Sequence, residues 1–286
     1  MSFSTPFLEC EYTAYLMKRK LFLSIFCVGV VLFLSGCGER GTGPEQIKID
    51  ESITNLTRKN LEKISKINLP DPYQFSFAIV SDSHTDYADF TDIIEDVNND
   101  TTISFLIHAG DFTDGGWLTE YMGTEDVLSK LTIPYLTVIG NHDALFEGKQ
   151  IYSKIFGAYN YSFVFYDCKF IFLDANSPAN LGEPPNLDWL EDQLEDHALY
   201  DLVFVIAHQP PFDPAWSDDT ENRYVQLMAE NEVGLSIHGH QHEYWYGEKY
   251  NDGVKYLVVD DISDRSYCIV SVDSMSFDVE KINIGR

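Results

Sequence analysis

The chain has 286 residues, 46 of them Asp or Glu against 19 Lys or Arg, for a formal net charge of -27 and a pI near 4.4. At 44% hydrophobic and 14% aromatic, it is too apolar for a disordered acidic tail, and its length permits one large domain or two small ones. The acidity excludes nucleic acid as a bulk partner, because a phosphate backbone needs a basic surface onto which to release its counterions.

The N-terminal stretch reads as an address. Lys18, Arg19 and Lys20 precede an uncharged apolar run from Leu21 to Leu34. That run has the length of a signal-peptide core and falls short of the roughly 20 residues of a spanning helix. It ends in Leu34-Ser35-Gly36-Cys37, which resembles a bacterial lipobox. The resemblance implies cleavage before Cys37 and lipidation of its sulfur; an uncleaved anchor is the alternative. Residues 1–36 are therefore expected to be a signal peptide. Translation is expected to start at Met17, since Glu9 and Glu11 do not suit a leader. Residues 37–70 are expected to hold the lipidated Cys37, a polar tether and a short helix, with the main domain over 71–286. The implied location is the bacterial cell envelope, lipid-anchored and extracytoplasmic, with the membrane a partner through that anchor. By resemblance to lipoprotein sorting in double-membrane bacteria, Gly38 would not hold the chain at the inner membrane.

Ile53, Leu56, Leu61, Ile64 and Ile67 recur at helical spacing, predicting an amphipathic helix that packs on the domain. From Phe75 the pattern alternates. Strands are predicted at 75–80, 103–107 and 135–139, with helix faces marked by Phe90, Ile93, Ile94 and Val97 and then by Val127, Leu128 and Leu131. YSFVFY and KFIFL, separated by Asp167-Cys168, read as a hairpin. Leu187, Leu190 and Leu194 mark a further helix, 202–207 a strand and 221–230 a helix; strands at 234–238, 254–259, 267–272 and 276–282 finish the chain. This order implies a layered α/β domain with mixed sheets. Cys168 and Cys268 fall in strand-like runs; a disulfide and two buried free thiols are both open.

Five apolar runs end in polar residues of one chemical kind. FAIVS leads to Asp82-Ser83-His84, ISFLIHA to Gly110-Asp111, and YLTVI to Gly140-Asn141-His142-Asp143. LVFVIA leads to His208, and GLSIH to Gly239-His240-Gln241-His242. In an open α/β sheet the carboxyl ends of the strands converge on one crevice, so these residues are predicted neighbours. Gly110, Gly140 and Gly239 precede candidate ligands, where a sharp turn calls for free torsions. Carboxylates, imidazoles and an amide carbonyl without cysteine suit divalent Mn, Fe or Zn, not a zinc–thiolate site. Singly, Asp-x-His or Gly-Asp is an ordinary polar turn. GNHD is more specific, arising in about one of 10^5 windows at average composition, and the ordered set is more specific still.

That ordered set resembles the calcineurin-like metallophosphoesterase superfamily over about residues 75 to 260. The resemblance implies a four-layer α/β/β/α sandwich with two mixed β-sheets and a dinuclear metal centre at its edge. It assigns Asp82, His84 and His242 to one metal, Asn141, His208 and His240 to the other, and makes Asp111 the bridge. It implies hydrolysis of a small phosphate mono- or diester, with a metal-bridging hydroxide as nucleophile and His142 as general acid. Asp143 either orients His142, a catalytic role, or caps the turn. Purple acid phosphatases carry tyrosine where this chain has Asp114 and lack the histidine at His84, so the pattern is closer to the class III cyclic nucleotide phosphodiesterase branch, and no tyrosinate–iron band is expected. The segment 259–263 lacks the glycine-rich run expected of the family.

His108 is read as a core residue or a support behind the ligands, His197 as a helix-end donor, and His238 as orienting a neighbour. Trp216 and Tyr244-Trp245-Tyr246 either stack on substrate or form a packed cluster. The rival reading from another class is a catalytically silent surface lipoprotein that binds a ligand or glycan.

Overall fold

The computed structural model describes residues 48–176 and 184–285. The signal-peptide, lipobox and tether readings, Cys37 included, lie outside the described residues. The chain from Lys48 onward forms one compact unit, which begins upstream of the expected boundary at residue 71. The reason is helix α1 (Leu56–Ile64), whose Leu56 and Ile64 are buried. Ile64 joins the main core, with Leu61, Ile67 and Leu69 packed beside it. A helix this short is marginal in water and owes its stability to such a docked face.

Alternation then proceeds as β1 (Gln74–Val80), α2 (Tyr87–Asn99), β2 (Ile103–His108), α3 (Leu118–Leu128), β3 (Tyr135–Thr137) and α4 (Gly148–Ile155). A hairpin of β4 (Tyr161–Phe165) and β5 (Cys168–Leu173) follows, then α5 (Leu187–Leu194), β6 (Leu202–Ala207), α6 (Asp218–Glu230) and β7 (Leu235–His238). The chain ends with β8 (Trp245–Gly247), β9 (Lys255–Val258), β10 (Ser266–Asp273) and β11 (Ser276–Asn283). One sheet runs β11-β10-β1-β2-β3 and the other β4-β5-β6-β7-β9-β8. Strands β1, β2 and β3 are mutually parallel, as are β5, β6, β7 and β9; antiparallel pairings close every edge except that at β3.

Period-2 alternation explains the layering. Between the sheets, Phe77 stacks on Phe105 at 5.4 Å and meets Phe170 and Phe204 of the opposite sheet edge-on at 5.3 and 5.4 Å. The alternate residues are equally buried on the outer faces. Phe90 of α2 lies edge-on to His108 of β2, and Leu190, Leu194, Tyr224 and Met228 of α5 and α6 cover Ile171, Val203 and Val205. Each such side chain contributes roughly 1.5–3 kcal/mol by leaving water. The result is a four-layer α/β/β/α sandwich of two mixed sheets.

Caps set the helix starts. Asp86, Asn186 and Ser217 accept from the backbone N–H of Asp89, Trp189 and Thr220, relieving donors that no turn of the helix can satisfy. Several boundaries differ from the sequence expectations. The hairpin turn is Tyr166-Asp167, because Cys168 pairs with Phe165 and Tyr166 takes φ 51°. Leu131 lies beyond α3, and β3 stops at Thr137. Helix α4 and strand β8 are not among the sequence expectations: α4 is about two turns long with only Ile151, Tyr152 and Ile155 as its large buried side chains, and β8 has three residues. Cys168 and Cys268 are buried free thiols in the layer between the sheets, where burial pushes both up to about 12. Among the described residues no helix is long and apolar enough to cross a membrane.

Candidate metal centre

All parallel strands deliver their carboxyl ends to one edge. There β1 hands over to Asp82 and His84, β2 to Asp111, β3 to Asn141 and His142, β6 to His208, and β7 to His240 and His242. The turns are tied together by backbone bonds from Asp82 N–H to Gly110 C=O, His84 N–H to Asp111 C=O and Gly239 N–H to His208 C=O. Seven predicted ligands, spread from position 82 to 242, therefore share one crevice.

Two adjoining donor groups result. Asp82, His84 and His242 form one and Asp111, His208 and His240 the other, with ligand atoms within 4.8 Å of one another inside each group. Asp82 Oδ1 links them, 3.2 Å from His242 Nε2 and 4.0 Å from His208 Nε2. His84 Nε2 and His242 Nε2 face each other at 3.5 Å, and Asp111 Oδ2 lies 3.1 Å from His208 Nε2. The carboxylates divide their oxygens. Asp82 Oδ2 accepts from His240 N–H at 2.9 Å and Asp111 Oδ1 from His142 N–H at 2.8 Å, so each turns its other oxygen to the cluster.

Three observations test whether these residues fit cations. Asn141 Oδ1 is buried without a hydrogen-bond partner, a state costing about 1–3 kcal/mol unless something else satisfies it, while the buried Asp82 Oδ1 and His208 Nε2 meet only charged neighbours of the cluster itself. Five of the seven residues, Asp82, His84, Asp111, His240 and His242, hold φ between 45° and 72°, a left-handed conformation that costs roughly 1–2 kcal/mol for a residue with a side chain. Finally, the donors are all oxygen and imidazole nitrogen, the set preferred by borderline divalent metals. The donor set fits a dinuclear divalent centre.

The glycines act otherwise than expected. Gly110 has φ +99°, as a turn requires, but Gly140 and Gly239 are needed for space. A Cβ on Gly140 would fall 2.1 Å from Asp111 Oδ1, and one on Gly239 would fall 1.8 Å from Ser81 Oγ and 2.4 Å from Asp82 Oδ2. Backbone strain sits on the candidate ligands themselves.

Asp143 does not reach the His142 ring, which corrects its reading as a catalytic partner of that histidine. It is fully buried, and its carboxylate accepts from the N–H groups of Asp111, Phe112, Thr113 and Gly140 and from the Thr113 hydroxyl. A carboxylate holding five donors cross-links the turns after β2 and β3 and positions Asp111; turn capping is the role these bonds describe. The His142 ring instead donates from Nδ1 to the Asp114 carbonyl at 2.8 Å. That bond fixes the tautomer and leaves Nε2 for chemistry. The ring stands edge-on to His84 with centroids 5.0 Å apart, at the rim of the cluster.

Sequence reasoning passed over the groups behind the imidazoles. Asp114 lies 3.1 Å from His84 Nδ1, Asp213 3.3 Å from His240 Nε2, and Asp261 3.2 Å from His242 Nδ1; His208 Nδ1 donates to Ala109 C=O at 2.8 Å. Partners on the outer nitrogen orient a ligating imidazole and raise its basicity. Asp261 had a signal: β9 is one more apolar run that ends in carboxylates. His108 and His238 are buried and held neutral, both pushed down to about 3 by burial. His108 bonds Ser83 and His238 bonds Ser236 and Ala207. His197 donates to the Leu194 carbonyl at the end of α5. Trp216 is buried against Tyr224, while Tyr244 and Tyr246 pack on the main core and Trp245 on the outer one.

Burial opposes charge on His208, yet the carboxylates of Asp111 and Asp82 raise it to about 10 in the metal-free protein. Burial likewise pushes Asp111 up, and His208 more than offsets this, holding it at about 2. A metal needs the neutral imidazole, so loading must expel this proton, and apparent affinity should rise with pH toward 10. At pH 8 an ordinary histidine is only about 3% protonated. Metal titration in weak buffer at pH 8 should nonetheless release about one proton per chain from His208; release near zero would contradict the ion pair.

A layered sandwich bearing a two-metal donor set at its strand ends defines a metal-dependent hydrolase of the phosphatase kind. The model of the calcineurin-like phosphoesterase family matches residues 75–244. The chain belongs to that family and is a phosphoric ester hydrolase. No curated protein matches it. Among solved structures it is similar to purple acid phosphatase PPD1 from yellow lupin, Lupinus luteus (15% identity, 73% of this chain, 51% of that one, TM-score 0.58). It is also similar to a dimetal phosphatase from Danio rerio (14% identity, 75% and 100%, TM-score 0.59). A third is GAP50, described as the anchor in the inner membrane complex of Plasmodium (18% identity, 74% and 90%, TM-score 0.54). These likenesses show the shared fold, and the chain spans about half the length of the lupin protein.

Proposed function

We propose that the protein hydrolyses a small phosphate mono- or diester at the bacterial cell envelope. The observation that carries this reading is the contiguity of the two donor groups through Asp82, with His142 at their rim. Asp82, His84 and His242 would hold one cation, Asn141, His208 and His240 the other, and Asp111 would be shared between them. When bound, the pair supplies charge neutralisation on phosphate oxygens and a water acidified toward neutral pH. The chain's own residues do the rest. The Asp143-clamped turns keep Asp111 and Asn141 in register, Asp114, Asp213 and Asp261 hold three imidazoles, and protonated His142 Nε2 delivers a proton to the departing oxygen.

With Asp114 at the position of the purple acid phosphatase tyrosine, we assign the chain to the branch with the class III cyclic nucleotide phosphodiesterases. Its location outside the cytoplasm favours extracytoplasmic esters over intracellular cyclic nucleotides as substrates.

Metal analysis together with hydrolysis of bis-p-nitrophenyl phosphate and p-nitrophenyl phosphate tests the reading. About two metal equivalents per chain and turnover of at least one ester are expected, and the ratio of the two rates separates diesterase from monoesterase. No metal and no turnover with Mn, Fe or Zn would leave the ligand-binding lipoprotein as the better account. The anchor rests on Leu34-Ser35-Gly36-Cys37. The wild-type precursor should partition into detergent with the membrane fraction and Cys37→Ser should not mature; a variant that still matures with lipid attached would remove Cys37 from the account.

A further inference from the structure

Aromatic side chains do stand open beside the site, though not those the sequence suggested. Trp117 and Phe146 are large apolar residues left 46% and 71% exposed, and their rings stack with centroids 4.7 Å apart at 21°. Trp117 follows Asp114, whose carbonyl holds the His142 ring, by three residues. Phe146 follows His142 by four. Three residues of chain span at most about 11 Å and four about 14 Å, so the two ring-bearing residues sit within those distances of Asp114 and His142.

The two turns that carry the rings are locked. Glu120 Oε2 accepts from the N–H groups of Gly115 and Trp117 at 3.0 and 3.1 Å. The Tyr121 hydroxyl donates to the carbonyls of Asp143 and Gly148, and a Cβ on Gly116 would come 2.5 Å from the Leu145 carbonyl. Phe146 also holds φ 48°, a strained conformation for a residue with a side chain. Strain and exposure together are a poor packing solution. They are what a preformed recognition surface requires, because rigid aromatics lose little entropy when a ligand arrives.

The geometry points to Trp117 and Phe146 as a stacking platform for the leaving group, so that the preferred substrates are phosphate esters whose leaving alcohol carries a planar ring, aryl or nucleobase. The proposal rests on the reading of His142 as donor to the departing oxygen. A membrane surface is the weaker occupant. Asp114, Glu120 and Glu147 crowd the same turns in a chain of net charge -27, and anionic headgroups would be repelled.

The test is binding of inert phosphonates to metal-supplemented protein by calorimetry. Wild type should bind phenylphosphonate at least about fivefold more tightly than methylphosphonate, the lower end of stacking on an aromatic side chain. Trp117→Ala and Phe146→Ala should each bring the ratio towards one, while Trp117→Phe, which keeps a ring, should retain most of it. The nucleotide phosphonate α,β-methylene-ADP distinguishes the two sources, binding more tightly than phenylphosphonate if the platform takes a base and no more tightly if it takes an aryl group. Equal binding of phenyl- and methylphosphonate by wild type, or an unchanged ratio in both folded alanine variants, overturns the platform and leaves the phosphoester site standing. Binding of neither phosphonate removes the phosphoester site and the platform with it.

Discussion

Asp111→Asn should lose metal and turnover together while the protein stays folded. The substitution keeps size and shape, and an amide oxygen can still accept the His142 N–H bond made by Asp111 Oδ1. What goes is the negative charge 3.1 Å from His208 Nε2, at a position only 1% exposed. With Oδ1 held by His142 N–H, Asp111 Oδ2 is the anionic oxygen turned to the cluster, and two adjacent dications need such negative charge beside them. Metal content should fall below one equivalent per chain, and turnover by about 10³-fold or more, the order lost with a buried electrostatic element of a transition-state site. Thermal melting of the metal-free variant, compared with metal-free wild type, checks that the fold survives. A variant that binds two equivalents and turns over normally would remove Asp111 from the bridging position.

His142→Ala should give the opposite pattern: full metal content with lost turnover. The ring donates to the Asp114 carbonyl, meets His84 only edge-on and lies outside both triads, so deleting it removes no candidate ligand. Losing a positioned proton donor costs about 10²–10⁴ in rate. The loss must depend on the leaving group, since p-nitrophenolate departs without a proton and an alkoxide does not. The variant should therefore be far more impaired on an alkyl ester than on p-nitrophenyl phosphate. Equal impairment on both esters would argue that His142 positions the substrate, and full activity on the alkyl ester would end the general-acid assignment.

The sequence by itself determined a good deal. Period-2 runs of Phe, Ile and Val dictated strands buried on both faces, and their alternation with 3.6-period stretches dictated a parallel-rich layered fold. Because parallel strands must deliver their carboxyl ends to one edge, Asp82, His84, Asp111, Asn141, His208, His240 and His242 were readable as neighbours from chain order alone. These signals are local: each lies in the few residues where a strand stops. The tertiary structure decided what depends on separate loops meeting. It placed Asp143 beneath two turns instead of against His142, and set Asp213 and Asp261 behind imidazoles more than fifteen residues distant in the chain. It also made Gly140 and Gly239 a matter of space beside carboxylates. Likewise it buried Trp216 while leaving Trp117 and Phe146 open. An aromatic residue has the same letter in a core and at a rim. Only the closing of one turn over another decides which face of it meets water.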